Sequence, residues 1–161
     1  MTGTHTVALR AARPEELPSL WELRTRAVAQ GCAAHYPASV LASWLAAPAP
    51  EPLPRLLAAG GGVVAMEAGR LLGYAVLDAA SGEVDAVFVE PAEHGRGIGA
   101  LLLAALERMA LAAGHERLFL SASLNAVPFY RHAGFQAIRE ESYPHRSGVA
   151  IASVYMEKQL G

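Results

Sequence analysis

Two stretches of this 161-residue chain carry groups whose types and spacing suit them to chemistry. In GEVDAVFVEP, residues 82–91, Glu83 and Asp85 stand two apart. On an extended strand that spacing puts both carboxylates on one face. Neighbouring like charges raise one another's pKa, which suits a carboxylate that takes up a proton near neutrality. The plainer alternative is a pair of solvated strand-end acids. In EPAEHGRGIGALLLAAL, residues 90–106, three glycines and an arginine precede an unbroken apolar run. Glycines let successive backbone N–H groups turn inward as an anion nest. The first turn of a following helix adds unpaired donors and the positive end of its dipole. His94 and Arg96 stand at the rim of such a cradle. The alternative is a helix start whose glycines serve tight packing.

Gly95-Arg96-Gly97-Ile98-Gly99-Ala100 also satisfies the dinucleotide fingerprint G-x-G-x-x-[GA] letter by letter. Its context does not. Glu90 to His94 intervene after the strand, and the next strand ends in Ser121 and Ser123 where an acid should hold the ribose. No Lys-Ser/Thr pair follows the glycines, so the Walker pattern is absent as well. Cys32, the single cysteine, has no nucleophile signature around it and reads as a partly buried thiol. Tyr130, in VPFYRHAGF, reads from its neighbours alone as core packing or as a phenol with work to do.

The elements that must position these groups follow from periodicity and punctuation. THTVALRAA alternates as a first strand, with Val7 and Leu9 on one face. Pro14-Glu15-Glu16 opens a helix that Gly31 ends, with Leu17, Leu20, Trp21, Arg24 and Val28 at helical spacing. PASVLASWLAA (37–47) predicts a second, shorter helix, and PAPEPLP (48–54) a connection. Residues 61–78 form a hairpin turning around Ala68-Gly69-Arg70, and 82–91 a further strand. A helix over 98–113 presents Ile98, Leu101, Leu102, Ala105, Leu106 and Met109 on one face. RLFLSAS is a strand, 126–133 a short helix with Asn125 as N-cap, and two strands finish the chain. Strand, loop, helix and strand over 83–121 make one crossover unit, so its two strands are expected to be parallel neighbours.

Bulk properties narrow the function classes. The chain is 53% hydrophobic and 17% charged, with net charge −2, as in one compact domain over residues 1–161. Lys158 is the only lysine and the arginines are scattered, so no basic surface for nucleic acid is expected. The longest apolar stretch, GALLLAAL, is far short of the roughly 20 residues that span a bilayer. The opening residues lack a signal-peptide pattern, and one cysteine suits a reducing compartment; both point to the cytoplasm without membrane attachment.

VFVEPAEHGRGIGALLL resembles the acyl-CoA-binding motif R/Q-x-x-G-x-G/A of the GNAT N-acetyltransferases, and SLNAVPFYRHAGF resembles their second motif, ending in F-Y-x-x-x-G-F. The two stand in the family's order, about 30 residues apart, and the order of elements agrees over roughly residues 5–158. The resemblance implies an α/β (α+β) fold: a single mixed, mostly antiparallel sheet of about seven strands with one parallel crossover pair, flanked by about four helices. It implies transfer of an acetyl group from acetyl-CoA to a primary amine of a small molecule, amino acid or peptide, without a metal. The backbone from Gly95 through Arg96, Gly97, Ile98 and Gly99 to Ala100 would bind the CoA pyrophosphate. The edge of Val87, Phe88 and Val89 would pair with the pantetheine arm. Glu83 or Asp85 would be the base, and Tyr130 the acid that returns a proton to the thiolate. His94 stands where the family has Arg or Gln, and Ser123 where many relatives have a CoA-contacting Asn, with Asn125 two places on. The acceptor site would draw on Arg24, His35, Tyr36 and Trp44 and on Tyr143, His145 and Arg146. A non-catalytic acyl-CoA-binding module is the alternative use of the same fold, and an NAD(P)-binding domain a remote one. The sequence leaves monomer and homodimer both open.

Overall fold

A computed structural model of the chain describes residues 6–145 and 147–161. Seven strands form one sheet in the order β1-β2-β3-β4-β5-β7-β6. β1 (Ala8–Ala11), β2 (Gly62–Glu67), β3 (Arg70–Asp78) and β4 (Glu83–Val89) run antiparallel in succession. The β2–β3 hairpin turns on Ala68 and Gly69, both with positive φ (50° and 78°), the two-residue turn whose twist matches its strands. α4 (Ile98–Ala112) then crosses to β5 (Arg117–Ser123), which is parallel to β4. β6 (Gln136–Pro144) and β7 (Ala150–Gln159) close the sheet, with β7 between β5 and β6.

The helices divide between the two faces. α4 and α5 (Val127–His132) pack on one, over Leu72, Ala75, Leu118, Leu120 and Met156. α1 (Leu17–Gly31), α2 (Ala38–Ala46) and α3 (Pro52–Ala58) cover the other, over Val64, Tyr74, Val76 and Ile151. α4 has the expected length, but its inward stripe runs through Leu102, Leu103, Leu106 and Ala110, and Leu101 is 46% exposed. The first three residues of α3 fall in the stretch read from the sequence as a proline-rich connection. Pro52 and Pro54 lie in its first turn, where a missing N–H costs nothing and the fixed φ suits a helix. The expected N-cap of α5 also differs. Its cap is Ala126, after a short 3-10 turn over Leu124–Ala126, and the Asn125 side chain is engaged elsewhere. No helix among the described residues is long and apolar enough to cross a membrane.

Candidate active site

β4 and β5 begin as neighbours and then part. Their parallel register contains one pair, Glu83 with Phe119, whereas β5 and β7 stay paired over seven residues. The Phe119 N–H donates to Gly82 C=O at 3.3 Å, at the root of the split. Beyond it, the hydrogen-bond phase of each strand shows what faces the gap. The Glu90 N–H donates to Leu72 C=O at 2.7 Å, so by the two-residue alternation of an antiparallel ladder Phe88 also turns its N–H to β3. Val87 and Val89 therefore point their N–H and C=O groups into the gap. On β5 the bond from Leu160 N–H to Glu116 C=O sets the opposite phase, and Ser121 and Ser123 face the gap from the other side.

A cavity of about 960 Å³ occupies this split. At one end lies the turn leading into α4. Gly95 and Gly97 hold φ of 84° and 77°, conformations that favour glycine, and Gly97 is the N-cap residue. A Cβ on either would meet nothing within 4 Å, so the backbone itself forms the wall there. Gly99 serves packing instead, since a Cβ on it would come within 3.0 Å of the Phe129 ring. The arrangement presents successive N–H groups and a helix N-terminus to the cavity, which suits a polyanion such as a pyrophosphate. His94, exposed, and Ala100 lie on the same wall.

Two titratable groups flank the split. Asp85 sits at an irregularity of the β3–β4 pairing, where Val76 opposes Ala86 and Leu77 opposes Val84, leaving Asp85 as the extra residue of a bulge. It lines the cavity with its side chain exposed to that space; the surrounding wall raises its pKa above the usual carboxylate value and the charge of Asp78 adds to the rise. Tyr130, on α5, is 7% exposed and packs edge-on between Phe129 and Phe135 at ring distances of 5.0 and 5.5 Å. Burial pushes its phenol well above the usual tyrosine range, so near neutrality the group carries its proton and is suited to act as an acid rather than a base.

The model of the acetyltransferase (GNAT) domain family matches residues 32–160. The chain belongs to the GNAT acetyltransferase family. A GCN5-related N-acetyltransferase from Rhodopseudomonas palustris shares 27% identity with this GNAT chain, covers 99% of both chains and superposes with a TM-score of 0.84. The PaiA N-acetyltransferase of Thermoplasma acidophilum, solved in complex with coenzyme A, shares 19% identity over 96% of this chain and 99% of its own, with a TM-score of 0.74. Arabidopsis thaliana Naa50, solved with the bisubstrate analogue CoA-Ac-MVNAL, shares 19% over 95% and 98%, with a TM-score of 0.68. No curated protein sequence matches the chain significantly.

In this GNAT chain the sequence-derived residues separate into three groups. Asp85, Val87, Phe88, Val89, His94, Gly95, Gly97, Ile98, Gly99 and Ala100 gather on the cavity wall with Ser123, Asn125 and Tyr130. Arg24, Trp44 and His145 line it from beneath α1 and α2 and from the β6–β7 connection. Others lie elsewhere. Glu83 is not on the wall; it sits at the root of the split, in register with Asp78 and Phe119. Burial raises its pKa too, followed by the charges of Asp85 and Asp78. The expected rim contact of Arg96 is replaced by a clamp: its guanidinium donates to both Glu67 oxygens and, at 3.1 Å, to Glu93 Oε1. Tyr36 is structural, its hydroxyl donating to Ala152 C=O at 2.6 Å and accepting from Leu124 N–H at 3.0 Å, while its ring meets Trp44 edge-on. His35 is exposed and off the wall. Tyr143 falls in β6, but its side chain and the whole of Arg146 lie outside the described residues.

Asn125 and Cys32 hold the end of α1 against the turn that follows β5, the thiol donating to Asn125 Oδ1 at 3.2 Å. Burial pushes that thiol up to about 11, so Cys32 is no nucleophile at neutral pH. Three features of the site were missed from the sequence, two on the wall and one behind it. Asp78 supplies the like charge felt by Asp85, through a hairpin pairing visible only once Glu83 and Asp78 are known to be opposite. Ser121 and Ser153 lie on strands whose serines carry no signal in isolation. Among the described residues no group of three or more His, Cys, Asp or Glu is placed to hold a metal ion.

Proposed function

We propose that this chain transfers the acetyl group of acetyl-CoA to a primary amine of a small molecule, amino acid or peptide, by direct attack in a ternary complex. The observation that carries the reading is the split between β4 and β5, with two outward-facing backbone edges and a glycine-built anion cradle at one end. The residues present fit the cosubstrate. The N–H groups from Gly95 to Ala100 hold its pyrophosphate, with His94 beside them. Val87 and Val89 pair with the pantetheine amides as a neighbouring strand would, and the Val89 N–H polarises the thioester carbonyl. Bound acetyl-CoA supplies an activated acyl group.

The chain's own residues handle the protons. An ammonium has no lone pair, so a base must take its proton before attack, and Asp85 is the carboxylate on the wall with a raised pKa. Tyr130 gives a proton to the departing sulfur as the carbon–sulfur bond breaks, and the second proton that the nitrogen loses as the amide forms restores the phenol. Tyr130 is set apart from ordinary phenols by burial, and Asp85, exposed but recessed on the cavity wall, from ordinary surface acids by the wall around it and the charge of Asp78.

Calorimetric titration with acetyl-CoA is expected to give a Kd in the low micromolar range, on the order of −8 kcal/mol. A panel of primary amines read by free-thiol release is expected to show turnover. Absence of acetyl-CoA binding sinks the reading. Binding with no turnover on any amine leaves a non-catalytic acyl-CoA module in its place.

A further inference from the structure

Among the described residues two polar or charged residues are buried, Arg24 at 3% and Ser153 at 2% exposure, and both line this one cavity. The Ser153 hydroxyl has no hydrogen-bond partner among them. Buried hydroxyls in folded proteins are nearly always paired, so an orphan on a cavity wall marks a place where a bound molecule completes the pairing. Ser153 stands opposite Ser123 in the β5–β7 register and shares its face of β7 with Ile151, beneath α1 and α2. Ser121 and Ser123 line the same cavity from β5.

Arg24 enters this chamber from α1. Its guanidinium donates to Trp44 C=O at 2.9 Å and lies 4.2 Å from the centre of the Trp21 ring, contacts that fix its pose. Its charge reaches two wall groups, pulling down the pKa values of the Tyr74 phenol and the Cys32 thiol against the effect of burial. Asp85 lines the cavity from β4, across the split from β5 and β7. The chamber thus has a cation with hydroxyl donors on one side and a carboxylate on the other. Guanidinium and hydroxyl together form the donor set of a carboxylate site.

We infer that the acceptor carries a carboxylate as well as its amine, the carboxylate held by Arg24 and Ser153 and the amino group facing Asp85. This specificity rests on the acetyl-transfer reading above. It makes neutral amines and diamines poor acceptors, because a second ammonium would face the Arg24 charge.

The test is a series of α-, β-, γ- and δ-amino acids, each beside its own amide and a diamine of matching length, with acetyl-CoA binding measured separately by calorimetry. The best amino acid is expected to exceed its amide about tenfold or more in kcat/KM, chiefly through KM. Ser153→Ala is expected to lower that ratio about threefold or more, and Arg24→Gln to bring it close to one, with Arg24→Lys in between. Ser153→Ala removes only an unpaired hydroxyl, so it keeps the test alive should the Arg24 variants fail to fold. Amides or diamines used as well as amino acids, an unchanged ratio in Ser153→Ala, or no amino acid accepted while acetyl-CoA binds, each overturns the inference alone. Failure to bind acetyl-CoA overturns it together with the reading it rests on.

Discussion

Asp85 and Glu83 show how two chemically similar residues, two positions apart, are given different work by the backbone. The spacing made them equivalent partners, but the bulge leaves Asp85 on the cavity wall and Glu83 at the root of the split. On the proposed mechanism Asp85→Asn lowers kcat by about a hundredfold or more, with acetyl-CoA affinity nearly unchanged, and Glu83→Gln has a much smaller effect. The acid limb of the kcat/KM profile should vanish in Asp85→Asn. The same residue bears on stability. Its raised pKa means that the folded chain binds the proton more tightly than the unfolded one, so stability falls as pH rises through the window above the usual aspartate pKa. Asp85→Asn should therefore unfold at a higher temperature than the parent at neutral pH, the gap closing below the ordinary carboxylate range. Tyr130→Phe should cut kcat at least several-fold while leaving the fold intact, and an unchanged rate returns Tyr130 to the core. That residues 87–89 and 94–100 would gather at one place was legible because they sit in contiguous motifs. Ser153, Asp78 and the clamp on Arg96 were not, since each depends on how strands and turns are brought together in three dimensions.

At the scale of elements, the crossover β4–α4–β5 was legible because its strand runs and helix period are strong and its glycines punctuate the entry. α3 was hidden by composition: four prolines within seven residues read as a connection, although the first turn of a helix accepts proline. The inward stripe of α4 was displaced from the expected one because nearly every residue in GALLLAAL is apolar, so periodicity alone left its rotation undetermined. α1 is fixed across the split by Arg26, which donates to both Glu90 oxygens at 2.9 and 2.7 Å, just after β4 ends. The cradle makes its own demand on the chain. Gly97→Ala forces an alanine into positive φ at the start of α4, at a cost of about 1–2 kcal/mol. Denaturant unfolding should register that loss, and calorimetry should show weaker acetyl-CoA binding.

For the molecule as a whole, the sheet consists of two sub-sheets, β1 to β4 and β5-β7-β6, joined at one rung and by the α4 crossover. This division was not legible, because a parallel pair predicted from a crossover says nothing about how far the strands stay together. A cosubstrate lying between the sub-sheets binds the folded chain and not the unfolded one. At a hundredfold excess over its Kd it should add about 2.7 kcal/mol of stability. For a chain of this size that is a rise in Tm of roughly 5–10 °C. A rise no larger than that given by adenosine diphosphate alone would indicate that only the glycine cradle is engaged.

The split also leaves a mark on hydrogen exchange. Along β4 the Glu90 amide is bonded to Leu72, and the ladder's phase protects Phe88 likewise, while Val87 and Val89 turn theirs to the gap. A central strand of a seven-stranded sheet should therefore trade alternate amide protons for deuterium far faster than the ones between them. That two-residue rhythm would make β4 look like an edge strand in the middle of a sheet, and it should fade when acetyl-CoA is added.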